Sequence, residues 1–178
     1  VEFSPREEPR GVGVHPHRGF ETVTIAYQGS VAHHDSAGHA GVIGPGEVQW
    51  MTAGSGILHK EYHERNFSRK GGLFHMVQIW VNLPKAFKGA DPHYQSITKA
   101  DYGVVTLPDD VGEVEIIAGE FNGVKGPART YSPMTMMNMR LKKGCSYRFS
   151  LPEDWNTAAL MVAGEAGIVG YERADVLL

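Results

Sequence analysis

The sequence predicts an all-β fold, a barrel or sandwich built from short strands. Three observations carry that reading. Alternating and β-branched runs recur at the short spacing of strands in a closed or stacked sheet. The 178 residues include 22 glycines and 10 prolines, roughly half as many again as the average share of about 12%, which supplies turns between the runs. No segment carries the long 3.6-residue periodicity of an amphipathic helix.

Taken in order, residues 21–27 and 30–35, joined by Gln28 and Gly29, read as a hairpin with a tight turn. Residues 35–38 form another turn. Gly44, Pro45 and Gly46 punctuate before a strand at 47–52. The Gly-Ser-Gly of 54–56 precedes a strand at 57–62, and 73–83 is the longest strand expected. Residues 84–100, with Pro84, Gly89 and Pro92, read as a linker. Further strands are expected at 114–121, 134–141, 146–151 and 158–162. The methionines of 134–139 read as core filling, because the flexible thioether side chain suits irregular gaps.

Charge and cysteine content narrow the function. With 17 basic and 20 acidic residues, the net charge of −3 opposes a nucleic-acid-binding basic face. The longest apolar run, 158–163, is too short to span a membrane. The single Cys145 leaves no internal disulfide and no site of several thiolates, so a reducing, cytoplasmic compartment is expected, with the nucleus open in a eukaryote. Residues 1–10 are charged and proline-rich and lack the apolar segment of a signal peptide. Both ends read as cuts through a longer chain.

All nine histidines lie at or before position 93. His33, His34, His39 and His93, beside turn-forming or charged residues, read as surface groups. Two dyads stand apart: His15-Pro-His17 and His59-Lys-Glu61. On a strand, residues i and i+2 share a face, so each dyad aims two ligand-type groups one way. Two such strands facing each other across a small barrel would gather three imidazoles and a carboxylate, a donor set for a borderline divalent metal. Two solvated loop histidines explain His15 and His17 equally well on spacing alone. His59 and His63, spaced i, i+4, would pair on a helix, but the Gly-Ser-Gly upstream and the β context disfavour one.

His15-Pro-His-Arg-Gly-Phe-Glu-Thr-Val-Thr24, followed by Gly44-Pro-Gly-Glu-Val-Gln-Trp-Met-Thr-Ala-Gly-Ser-Gly-Ile-Leu-His-Lys-Glu61, resembles the signature of the pirin family. Residues 78–84, 94–97 and 123–129 continue the likeness over nearly the whole chain. The resemblance implies tandem cupin barrels: 1–83 as an N-terminal barrel with the metal site, 84–100 as linker, and 101–178 as a second, incomplete, metal-free barrel. It implies His15, His17, His59 and Glu61 as metal ligands, with iron(II) the first expectation and nickel, copper, manganese, cobalt and zinc open. Superposing Gly29 on Gly164 lays 22–29 over 157–164 and places Ser150 and Pro152 where His15 and His17 stand, which agrees with a second barrel that holds no metal.

The activity so implied is that of a quercetin 2,3-dioxygenase-like enzyme, which opens a flavonol with dioxygen. Glu61 is the expected catalytic base, and Phe20, Trp50, Met51 and Phe74 are expected to wall the pocket. Glu21 is expected near the metal without binding it. The alternative is a metal- or redox-sensing protein of the transcriptional-coregulator type, whose partners are proteins and which does not turn substrate over. A metal-binding β module without activity is the third reading. No direct nucleic-acid or membrane contact is expected in any of them.

Overall fold

The computed structural model describes residues 1–167. In chain order the elements are β1 (Glu2–Phe3), β2 (Gly11–His17), β3 (Phe20–Gln28), β4 (Val31–Asp35), β5 (Ala40–Ile43), β6 (Val48–Thr52), β7 (Ile57–His63), the short helix α1 (Arg65–Lys70), β8 (Gly72–Leu73), β9 (His75–Asn82), β10 (His93–Ile97), β11 (Gly103–Thr106), β12 (Gly112–Ala118), β13 (Glu120–Phe121), β14 (Val124–Lys125) and β15 (Met136–Leu141). Three single-turn 3₁₀ segments interrupt the later connections. Among the described residues, no helix is long and apolar enough to cross a membrane.

Two four-stranded antiparallel sheets build the N-terminal barrel, one in the order β10–β6–β3–β9 and the other β2–β7–β4–β5. Their facing sides meet in two apolar clusters, one of Ala26, Val31 and Ile43 and the other of Met51, Ala53 and Ile57. A third sheet, β11–β12–β15, lies behind the first. There Val23, Ile25, Val48, Trp50 and Ile97 pack on Tyr102, Ile117 and Ala118. β3 and β6 are therefore covered on both sides, and all five residues of β6 are buried. Covered on one side only, β7 alternates buried and exposed residues.

Gly29 has φ +83°, and a Cβ there would lie 2.6 Å from the Phe74 ring. Glycine meets both demands, the left-handed backbone and the close approach.

Several expected elements differ in the structure. β3 and β4 make no hairpin. The chain turns at Gly29 from one sheet to the other, so β3 pairs with β6 and β9 while β4 pairs with β5 and β7. The expected linker 84–100 includes β10, which pairs in register with β6, Tyr94 opposite Met51. Its alternating His-Tyr-Gln-Ser-Ile fits an edge strand, a signal masked by the flanking prolines. The expected strand 73–83 breaks at Phe74 into β8 and β9. Segments 146–151 and 158–162 form no strand and pair with none of the strands of the described residues. Gly164 shares the positive φ of Gly29, +80°, but the residues before it have no strand geometry to match β3. Residues 168–178 of the expected second barrel lie outside the described residues.

Candidate metal centre

The two dyads sit on hydrogen-bonded neighbours rather than on strands opposed across the barrel. β2 and β7 run antiparallel, with His15 opposite His59 and His17 opposite Ile57. The even spacing within each dyad still turns its side chains to the same face. An irregularity between Val12 and His15 adds one residue to β2. Within it, the Gly13 carbonyl lies 2.7 Å from His15 Nδ1.

That contact sets the tautomer. A carbonyl only accepts, so His15 Nδ1 carries the proton and Nε2 presents a lone pair. His15 Nε2 lies 3.0 Å from His17 Nε2 and 2.9 Å from His59 Nε2. Ligand nitrogens of all three rings fall within 4.8 Å of one another. One lone pair cannot serve two in-line donors, so protons alone leave this cluster unsatisfied. Burial first, and then the neighbouring imidazoles, lower the pKa of His17 and of His59 to about 4. At neutral pH the His17 and His59 rings are therefore uncharged donors. Three imidazoles converging on one point fit a borderline divalent cation.

Glu61 faces the same interior, but its carboxylate lies outside the trihistidine group. Register explains this. His17 is level with Ile57, and Glu61 lies four residues further along β7, roughly 13 Å at the backbone. Gln78 Nε2 donates to Glu61 Oε2 at 2.8 Å, and the Thr24 hydroxyl donates to Oε1 at 3.3 Å.

The walls differ from expectation. Phe20 meets the edge of the His17 ring at 4.9 Å. Its companion is Trp80, 4.8 Å from Phe20 and 64% exposed, at the mouth of the site. Trp50 lies on the other face of β6, fully buried against the third sheet. Met51 packs with Ile57 and Tyr94 inside the barrel. Phe74 closes the far end, where Phe3, Phe67 and Phe74 surround His63. Burial lowers the His63 pKa.

Glu21 points away from the histidines. It pairs with Thr52, whose hydroxyl donates to it at 2.6 Å on the face shared with Val23 and Ile25. Gly19, φ +77°, lies in the turn between β2 and β3, so the even offset from His17 does not carry across. Residue-by-residue reading also missed His33. It is buried inside the barrel and stacks on Tyr94 at 4.8 Å. Burial and then His59 lower its pKa to about 4. Pairing is the signal that finds these residues. Thr24 faces Gln78, and Thr22 faces Trp80, across β3 and β9.

Comparison with known proteins places this geometry in a family. The family model described as Pirin matches residues 2–81, the segment that holds both dyads. A Pseudomonas aeruginosa protein named "Putative quercetin 2,3-dioxygenase" is 50% identical over 168 residues, 94% of this chain and 59% of that protein. Pirin-1 of Arabidopsis thaliana is 39% identical over 163 residues, 92% of this chain and 54% of that protein. A crystal structure of quercetin 2,3-dioxygenase from Acinetobacter baumannii superposes with a TM-score of 0.79 at 51% identity, covering 82% of this chain and 50% of that one. The chain thus spans a little over half the length of these curated relatives. From the motif histidines, the matched barrel and the identity that runs beyond it, the chain belongs to the pirin family of the cupin superfamily.

Proposed function

We propose that this chain carries the metal-binding half of a dioxygenase that opens flavonol-like substrates with O2. One observation supports it most: three imidazoles converge at an aromatic mouth, with a buried carboxylate beside them. His15, His17 and His59 would hold the metal, and Glu61, whose carboxylate lies beside that group, would complete the donor set. Iron(II) is the preferred ion, and nickel, copper, manganese, cobalt and zinc suit the same donors. Bound there, the metal supplies Lewis acidity toward the flavonol 3-hydroxyl and a site for dioxygen chemistry.

The chain's own groups do the rest. Phe20 and Trp80 offer flat apolar faces to the substrate rings. Glu61 takes the 3-hydroxyl proton, and its orientation is held by Gln78 and Thr24. Asp35, the other carboxylate facing the barrel, is engaged by the backbone N–H groups of Ala37 and His39 and by the His39 ring.

The test is anaerobic loading with iron(II), followed by quercetin and then oxygen. Loss of flavonol absorbance with release of carbon monoxide is the expected outcome. Tight metal binding without turnover, here and in the full-length protein, would instead support a metal-sensing regulator that acts on protein partners.

A further inference from the structure

Gln78 stands between the exposed mouth and the buried carboxylate, and its amide is engaged at both ends. The Trp80 indole N–H donates to Gln78 Oε1 at 3.2 Å. Gln78 Nε2 donates to Glu61 Oε2 at 2.8 Å and to Thr24 Oγ1 at 3.0 Å. An indole nitrogen only donates and a carboxylate only accepts, so a flipped amide would oppose like groups at both ends. The amide therefore has one orientation. Gln78 and Trp80 lie two apart on β9, with side chains on the same inner face. Trp80 also forms the aromatic wall with Phe20, and its ring lies 5.6 Å from His17.

We propose that Gln78 is the positioning residue for Glu61, and that Trp80 acts twice, as a ring-binding wall and as the donor that fixes the Gln78 amide. This rests on the reading of the histidines together with Glu61 as a metal centre. A substrate ring stacked on Trp80 is then linked to the carboxylate through a single side chain. No other donor among the hydrogen bonds of the described residues reaches Glu61 Oε2, so loss of Gln78 frees that oxygen to turn from the site.

Two probes test this: Ni²⁺ titrated calorimetrically into the metal-free chain, and quercetin titrated into the nickel-loaded chain. Gln78→Leu should weaken Ni²⁺ binding by about 10- to 100-fold, the range for loss of a partner that orients a ligand. Trp80→Phe keeps a ring at an exposed position and removes only the N–H. It should weaken Ni²⁺ by about two- to tenfold, one hydrogen bond's worth, and lower quercetin affinity less than Trp80→Ala does, because a ring remains. Trp80→Ala should also weaken quercetin, by about tenfold for a lost ring pair. In the Gln78→Leu/Trp80→Phe double variant the effect on Ni²⁺ should match Gln78→Leu alone, because both changes break one relay.

Trp80→Phe binding Ni²⁺ like the wild type, or additive losses in the double variant, would overturn the relay. Gln78→Leu binding Ni²⁺ like the wild type while His59→Ala does not would overturn the positioning role and leave the metal centre standing. A wild-type chain that binds no Ni²⁺ would overturn both.

Discussion

The two carboxylates that follow the histidine motifs have opposite surroundings. Glu61 shares the barrel interior with the trihistidine cluster, whereas Glu21 is buried on the reverse side of β3 against Thr52. Glu61→Gln should therefore weaken divalent-metal binding by at least about tenfold. Glu21→Gln should leave metal affinity within about twofold and instead cost about 1 kcal/mol of stability, from the weakened bond with Thr52. Parallel metal titrations and urea melts separate the two effects, and metal loss in Glu21→Gln alone would contradict the placement. The dyads were legible because a period of two is local. The orientation of Glu21 was not, because Gly19 lies in a turn between two sheets and parity ends there. His33 was misread for a related reason. The residues that follow it, His34 and Asp35, are polar, but its neighbours in space are Tyr94 and Gly41, where a Cβ would lie 2.5 Å from the imidazole.

At the level of elements, β2, β4 and β7 turn a row of imidazoles into the barrel. His17, His33 and His59 each have a pKa near 4, lowered first by burial, against an ordinary value of 6.5. Above pH 6.5 both folded and unfolded chains keep these rings neutral, and their contribution to stability is complete. Between 6.5 and 4 the unfolded chain takes up protons that the folded chain refuses, so stability falls as pH falls. Below about 4 the loss is complete. The urea midpoint of the metal-free chain should thus drop between pH 7.5 and pH 4.5, and removing the three imidazoles together should flatten that part of the profile. A wild-type midpoint independent of pH over this range would contradict burial of the rings. Strand positions for β3, β6, β7 and β12 were legible from their β-branched runs and flanking glycines. Pairing was not: β10 hid among prolines, and β3 with β4 resembled a hairpin, because sheet membership is decided by burial across the whole domain rather than by the turn between them.

Over the whole molecule, the first sheet serves two neighbours, the histidine-bearing β2–β7–β4–β5 sheet on one side and the β11–β12–β15 sheet on the other. Trp50 is the largest side chain of that second contact and is fully buried. Trp50→Ala should cost about 3–5 kcal/mol, read as a lowered denaturation midpoint. Metal affinity of the folded fraction should stay near wild type, because Trp50 faces away from the histidines. Loss of metal without loss of stability would contradict that division of faces. The all-β class and the convergence of His15, His17 and His59 were open to sequence reading, whereas the back-to-back use of β3 and β6 appears only as burial on both faces. The central claim is that His15, His17 and His59 form one divalent-metal site. Its most direct test is anaerobic calorimetric titration of iron(II) into the metal-free chain and into the His15→Ala/His17→Ala/His59→Ala variant. One tight site per chain, absent from the variant while its fold is retained by circular dichroism, is the predicted result; equal binding by both proteins, or none by the wild type, would contradict it.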